Sequence, residues 1–253
     1  MTLTGKHAVV TGGGRGIGAA IADSLANAGA NVTIMGRNEQ ILLDKAKTLS
    51  SGLAVTCDIT DGDSVATAFA AATAKFGQVD ILINNAGAAR SLPFLKGDRA
   101  HLQTMLDVNL IGPYLCIHAV LQEMIDKGQG RIINIASTAA LKGYRYVTAY
   151  SAAKHAILGL TRSLALEMAT KGVTVNAVCP GFTNTDIARD AIQNIMAKTG
   201  RTKDQAIAEL TIHNPQNRLI EPEEVAATVA WLCQDSAASI TGQAIAVDGG
   251  EVM

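Results

Sequence analysis

The sequence predicts an α/β fold: a doubly wound, parallel, seven-stranded sheet with helices on both faces and a helical lid after the sixth strand. Three observations lead there. Short β-branched runs alternate with longer Ala- and Leu-rich segments, which implies right-handed βαβ units. The short runs are apolar throughout rather than alternating, as strands covered on both faces must be. A glycine-rich turn joins the first run directly to the first helical segment.

In chain order, the apolar run His7–Thr11 is the first strand and the helix-period segment Ile17–Ala28 follows it. Val32–Met35 and Glu39–Ser50 form the second such unit, and Ala54–Cys57 with Asp61–Phe76 the third. Ile81–Asn84 precedes a long segment, Arg99–Lys127; Arg131–Ala136 precedes Ala149–Thr170. Val173–Val178 is the sixth strand; Pro222–Gln234 and the strand Ala244–Val247 close the sheet. Between Phe182 and Ile220 the rhythm breaks. Two helical stretches, Asp186–Lys198 and Lys203–Ile212, are punctuated by Gly200 and Pro215. A long insertion at a strand's carboxyl end reads as an active-site lid, about residues 183–217, on a single domain spanning 1–253. The bland alternative is an extra helical hairpin packed on the core.

Composition sets limits. With 48% hydrophobic and 17% charged residues, the 253-residue chain has ample material for one large core. A net charge of −1 and no basic run give no sign of a nucleic-acid or membrane partner. The five histidines are scattered without metal-ligand spacing, so no metal is expected. Cys57, Cys116, Cys179 and Cys233 form no CxxC and lie in apolar stretches, which favours buried, reduced thiols and a cytoplasmic protein. Lys6 and His7 interrupt the N-terminus before any apolar core of signal-peptide length. Lys154, Arg162 and Glu167 mark the apolar stretch Tyr150–Met168 as a soluble helix rather than a span.

Two places carry chemistry. The first is Thr11-Gly-Gly-Gly-Arg-Gly-Ile-Gly18, at the strand–helix junction. Glycines there let a pyrophosphate approach the backbone, and the helix N-terminus offers free N–H groups. The spacing is GxxxGxG, from Gly12, Gly16 and Gly18, not GxGxxG. The second strand ends Met35-Gly36-Arg37, with no acid to accept from a ribose; Arg37 and Arg15 would instead clamp a 2′-phosphate, so the cofactor is read as NADP(H). Either arginine alone is most simply a solvated surface residue. Asp58 follows the third strand, where it could accept from an adenine amino group or merely cap the next helix.

The second place is Tyr150-Ser-Ala-Ala-Lys154, whose spacing of four puts both side chains on one helix face. A phenol titrates near 10, and an ammonium or an oxidised nicotinamide beside it would bring it down toward neutrality, where it could serve as general acid or base. Ser137 ends the fifth strand, where ligands of open parallel sheets bind, and its hydroxyl could hold a carbonyl oxygen. A surface Tyr–Lys pair and a capping serine are the plain readings of these residues taken singly.

Together these stretches resemble the short-chain dehydrogenase/reductase family over nearly the whole chain. The likeness extends to Asn84-Asn-Ala-Gly87, Asn109, Pro180-Gly181 and Val247-Asp-Gly-Gly250. It implies a Rossmann fold with Tyr150 as general acid/base, Lys154 lowering its pKa and binding the nicotinamide ribose, Ser137 orienting the carbonyl, and Asn109 holding a water in a proton relay. It implies cofactor contacts from Gly12, Arg15, Gly16, Ile17, Gly18, Arg37, Asp58 and Ile59. Asn85, Ala86 and Gly87 would lie beside the cofactor, with Pro180, Gly181 and Thr183 along its nicotinamide and Thr185 near the carboxamide or the diphosphate. It also implies transfer of the pro-S hydride and a homotetramer, with Arg99–Lys127 and Ala149–Thr170 paired across an interface through Ala152, Ala153, Ala156 and Gly159.

Gly130–Ser137, Tyr150–His155 and Val175–Gly181 most resemble the 3-oxoacyl and polyketide ketoreductases. The expected reaction is reduction of a ketone, a β-keto ester or a 3-oxoacyl thioester carried on coenzyme A or acyl carrier protein. Specificity would come from Ala88–Lys96 with Arg90, from Thr138–Val147 with Lys142, Tyr144, Arg145 and Tyr146, and from the lid. The lid mixes Ile187, Ile192, Ile195 and Met196 with Arg189, Lys198, Arg201 and Lys203, an apolar face for a greasy ketone and a basic one for phosphates or plain solvent. The alternatives are an NADP-linked dehydrogenase of a secondary alcohol, sugar or hydroxyacyl-CoA, and a cofactor-binding regulator without chemistry.

Overall fold

The computed structural model describes residues 2–253; the side chain of Ile187, expected on the apolar lid face, lies outside the described residues. Seven strands, β1 (His7–Thr11), β2 (Asn31–Gly36), β3 (Gly52–Thr56), β4 (Ile81–Asn84), β5 (Gly130–Ile135), β6 (Val173–Pro180) and β7 (Ala244–Val247), form one parallel sheet in the order β3-β2-β1-β4-β5-β6-β7. Helices α1 (Gly16–Asn27), α2 (Glu39–Ala46), α3 (Gly62–Phe76), α4 (Arg99–Leu106), α5 (Gly112–Lys127), α6 (Thr148–Met168), α7 (Asp186–Thr199), α8 (Lys203–Leu210) and α9 (Pro222–Leu232) connect and cover it.

The predicted fold class is the observed one. Neighbouring strand residues feed opposite faces: Val10, Ile83 and Ile133 pack with Ile21 and Leu25 of α1 and Val225 and Val229 of α9. Val9, Leu82 and Ile132 pack with Phe69 of α3 and Ile117 and Val120 of α5. With no water-facing side, the strands have no reason to alternate in polarity.

Several element ends shift by one or two residues from expectation, and three differences have clear local causes. Helix α2 stops at Ala46 rather than Ser50, because the Thr48 hydroxyl donates to Lys45 O (2.8 Å) and turns the chain toward β3. Strand β6 runs two residues further than expected, to Pro180, which pairs with Val247; a proline is tolerated there because the ladder ends with it. The long segment Arg99–Lys127 is interrupted by a π-turn, Asp107–Ile111. Asn109 lies in it, its Nδ2 donating to Met105 O (2.9 Å) four residues back and competing with the helix ladder.

The insertion after β6 is clasped at its root. Thr183 bridges Ile220, Asn184 N donates to Ile220 O (2.8 Å), and Ile220 N donates to Phe182 O (2.9 Å). Beyond the clasp, α7 and α8 pack on each other around Ala188, Ile192 and Ala206.

Candidate active site

Strands β1 and β4 are neighbours whose successor helices cover opposite faces, so a crevice opens at their carboxyl ends. The glycine turn lies there, with left-handed backbone at Gly12 (φ 65°) and Gly16 (φ 55°). A Cβ on Gly18 would stand 2.2 Å from Gly12 O, so no side chain fits where α1 begins. Asn85 braces the turn: its Nδ2 donates to Thr11 O (3.0 Å) and Gly12 O (3.2 Å). Thr11 Oγ1 accepts from the backbone N–H groups of Asn85 (3.0 Å) and Ala86 (3.1 Å). Thr11 was not among the expected site residues; its role depends on a loop 74 residues away in sequence. Ile17 packs partly buried on the core, and Thr185 reaches the turn from the root of the insertion after β6, its Cγ2 3.2 Å from a Cβ placed on Gly16.

Arg15 and Arg37 are exposed and, among the described residues, neither guanidinium has a hydrogen bond or ion pair. Arg15 precedes α1 without capping it through its side chain. Asp58 accepts from Thr60 N (3.0 Å) and Thr60 Oγ1 (2.7 Å). These bonds, chiefly the backbone one, and the nearby Arg37 charge hold its carboxyl below the usual range. Capping of α3 falls to Asp61, which accepts from Asp63 N (3.0 Å), so the cap alternative for Asp58 is not realised. Ile59 is buried with its side chain against Gly112, leaving little surface for the crevice.

At the end of β5 the catalytic candidates meet. Ser137 Oγ accepts from Ala139 N (3.1 Å), and its hydroxyl lies near enough to the Tyr150 phenol to lower its pKa in part. Lys154 is buried one helical turn beyond Tyr150; its Nζ donates to Ile135 O (2.8 Å) and lies 5.7 Å from the Tyr150 ring centre. Asn109 Nδ2 also donates to Ala88 O (2.9 Å). A Cβ on Gly87 would come within 2.9 Å of Asn109 Oδ1 and 3.7 Å of Lys154 Nζ, so this glycine lets loop, π-turn and lysine converge.

The electrostatics depart from expectation in one respect. Burial pushes the Tyr150 phenol above its ordinary value, only partly offset by the Ser137 hydroxyl. Burial also pushes the Lys154 ammonium down to about 8. Desolvation thus outweighs the expected lowering of Tyr150 by its neighbour, because a low-dielectric wall penalises the phenolate directly. Cys179, not anticipated as a neighbour, is buried beside this group, its thiol pushed up to about 11 by burial.

Pro180 and Gly181 run along the tail after β7: Gly181 N donates to Val247 O (3.1 Å), and a Cβ on Gly181 would stand 3.2 Å from Asp248 Cα. Thr183 Oγ1 donates to Gly181 O (3.0 Å). In the expected specificity regions some cations are already engaged. Lys142 pairs with Glu251 (3.1 Å), Arg189 with Asp186 (2.9 Å), and Arg201 with Glu209. Arg90, Arg145, Lys198 and Lys203 are exposed and have no ion pair among the described residues. A cavity of about 370 Å³ lined by Lys127, Arg131 and Thr174 lies at the opposite, amino ends of β5 and β6, away from every residue of the crevice.

Comparisons with known proteins agree with this layout. A family model described as enoyl-(acyl carrier protein) reductase matches residues 12–251. The chain is 39% identical to a D-beta-hydroxybutyrate dehydrogenase of Rhizobium meliloti (strain 1021), over 97% of this chain and 98% of that one. It is 39% identical to a 3-oxoacyl-[acyl-carrier-protein] reductase of Synechocystis sp., over 99% and 98%. A crystal structure of an actinorhodin polyketide ketoreductase variant with NADPH superposes with a TM-score of 0.93 at 34% identity, covering 99% of each chain.

Proposed function

The chain belongs to the short-chain dehydrogenase/reductase family, in its 3-oxoacyl and polyketide ketoreductase branch, and from that premise we propose that it reduces a ketone to a secondary alcohol with NADPH, Tyr150 donating the proton. The observation that carries the reading is the meeting of Ser137, Tyr150 and Lys154 at the sheet's carboxyl edge, beside a glycine turn flanked by two unpaired arginines.

The residues present fit the cofactor. Gly12, Gly16 and Gly18 let the turn close tightly against Asn85, Ala86 and Thr185, and the N-terminus of α1 into which it leads suits a diphosphate. Arg15 and Arg37 suit a 2′-phosphate, with Asp58 and Ile59 at the adenine end. Asn85, Ala86, Gly87, Pro180, Gly181, Thr183 and Thr185 line the way to the nicotinamide end. NADPH, when bound, supplies a hydride to the carbonyl carbon.

Ser137 and Tyr150 hold the carbonyl oxygen between their hydroxyls, and Tyr150 delivers its proton there as charge develops. A phenol pushed up by burial keeps that proton at neutral pH. Lys154, one turn away, faces the phenolate left behind, and Asn109 Oδ1, close to the same ammonium across Gly87, is the acceptor for a relaying water. The oxidative alternative has the D-beta-hydroxybutyrate dehydrogenase relative on its side, but the 3-oxoacyl reductases and the polyketide ketoreductase favour reduction. A regulator without chemistry would have no need for all four polar groups to converge.

Arg90, Arg145, Lys198 and Lys203 are the exposed cations available to the phosphates of an acyl-CoA or acyl carrier protein thioester. A homotetramer is supported by Leu102, Ile111, Tyr114 and Leu166, exposed on the Arg99–Lys127 segment and α6, with Ala152 and Gly159 open to close approach. Ala153, by contrast, is buried in its own subunit. Arg99–Lys127 is long and apolar enough to cross a membrane, yet it packs Cys116, Ile117, Val120 and Met124 into the core. With four buried free cysteines, this supports a cytoplasmic protein; light scattering tests the tetramer.

Initial rates with NADPH and NADH over β-keto esters, aryl ketones, cyclic ketones and acetoacetyl-CoA test the main reading. NADPH-preferring turnover is expected; silence across the panel despite tight NADPH binding would remove it.

A further inference from the structure

Glu251 follows the Val247-Asp-Gly-Gly250 stretch, and nothing in the reaction above uses it. Its carboxylate is nonetheless shielded from solvent, with a side-chain exposure of 3%. Its Oε1 accepts from Tyr144 OH (2.6 Å) and lies 3.1 Å from Lys142 Nζ, which also donates to the Glu251 backbone carbonyl (3.3 Å). The Lys142 ammonium sits 5.1 Å from the Tyr144 ring centre, so carboxylate, ammonium and ring form one packed cluster.

We propose that Glu251 is a positioning residue that clamps the loop Thr138–Val147 onto the carboxyl-terminal tail and thereby sets the affinity of the crevice for its ketone. This rests on the reading of that crevice as a ketone site.

The loop needs such a tie. From Gly143 to Tyr146 the only backbone hydrogen bond among the described residues is the one Tyr146 O accepts from Leu92 N (2.6 Å). Tyr146 is itself held in a left-handed conformation (φ 67°), a strained state for a bulky residue that persists only where its surroundings fix it. The tail is rigid enough to serve as the anchor. Asp248 accepts from Gly250 N (2.9 Å) and Val252 N (2.8 Å), folding the chain back on itself. Gly249 (φ 67°) is pressed so closely on Asn214 that a Cβ there would stand 2.2 Å from its Oδ1. Glu251 Oε2 would lie 3.3 Å from a Cβ on Gly181, beside the wall that follows β6. One carboxylate therefore joins the loop leading into Tyr150, the wall after β6 and a tail that touches the exit of the lid.

The test is steady-state kinetics of the full chain with hydrogen exchange of the loop. Glu251→Ala is expected to raise the KM for a ketone about tenfold, the low end for a hydrogen bond to a charged group. Changes in kcat and NADPH affinity are expected to stay within about twofold, the signature of lost binding rather than lost chemistry. Exchange across 139–147 should quicken. Glu251→Gln still accepts from Tyr144 and should recover most of the KM. Tyr144→Phe should mimic Glu251→Ala, and the double variant should be no worse than either, as for residues acting through one contact. Unchanged KM and loop exchange in Glu251→Ala would overturn the clamp. So would a joint fall of kcat, cofactor affinity and melting temperature without recovery in Glu251→Gln. Should the chain reduce no ketone, loop exchange still decides whether the clamp exists, so the two failures are separable.

Discussion

Replacing Arg15 or Arg37 by Ala should weaken NADPH selectively. Both side chains are exposed and, among the described residues, free of other bonds, so no existing pair must break for either to meet a phosphate. A hydrogen bond to a charged group is worth about 1.5–3 kcal/mol; solvent exposure places these two near the lower figure, or about tenfold in dissociation constant each. Asp58 tempers Arg37: its carboxyl, held low chiefly by the Thr60 bonds, also attracts that guanidinium. Arg15→Ala should therefore show the larger loss, and the double variant roughly the product, about a hundredfold, if the sites act independently. Fluorescence titration with NADPH and with NADH, beside kcat/KM for both, provides the assay. NADH binding should change by less than about twofold, since it has no 2′-phosphate for the lost charge to meet. Equal losses for both cofactors, or a wild-type preference for NADH, would refute the reasoning.

Tyr150→Phe should bind NADPH normally yet lose about 10²–10⁴ in kcat, the range for a general acid; undiminished turnover would remove Tyr150 from the reaction. The reduction rate should fall as pH rises through about 8, where Lys154 loses its charge, while Tyr150, raised by burial, stays protonated. A profile flat into the alkaline range would sink that assignment. Gly18→Ala, whose Cβ would stand 2.2 Å from Gly12 O, should cost more than about tenfold in affinity for both cofactors alike, unlike the arginine variants, with the fold checked by circular dichroism. His7 is buried between Gly77 O (2.8 Å) and Thr33 Oγ1 (2.9 Å), and desolvation lowers its pKa. The unfolded chain then binds the extra proton first, so His7's contribution is full above about 6.5 and is lost as pH falls toward the folded value, by at most about 1.4 kcal/mol per pH unit. Urea melts of wild type and His7→Gln across that window should converge on the acid side; parallel curves would count against it.

What the sequence could reveal follows from what one-dimensional patterns encode. The seven strands were legible because buried parallel strands are apolar runs, and Gly12, Gly16 and Gly18 because a tight turn before a helix has few other solutions. Tyr150 and Lys154 were legible because four residues make one helical turn. Contacts between distant segments were not. Thr11 braces a loop through its hydroxyl, and Cys179 backs the catalytic group from the next strand; neither carries a local signature. The π-turn at Asn109 was hidden because the apolar period runs on through Arg99–Lys127. Nothing in the sequence around Glu251 sets it apart, and only Lys142 and Tyr144, more than a hundred residues away, give it a place.

Burial also sets how protons move between the two proposed groups. It acts on the two titrating groups in opposite senses, raising the phenol of Tyr150 and lowering the ammonium of Lys154 to about 8. The phenolate left after proton donation is therefore the stronger base of the pair, and a proton passing from Lys154 back to Tyr150 runs downhill. Lys154 can then be recharged from water near neutrality, past Gly87, beside which both the ammonium and Asn109 Oδ1 lie. The strand-end location of the pair, walled by Ile135, Cys179 and Ser137, keeps the proton on Tyr150 until charge develops on the substrate oxygen.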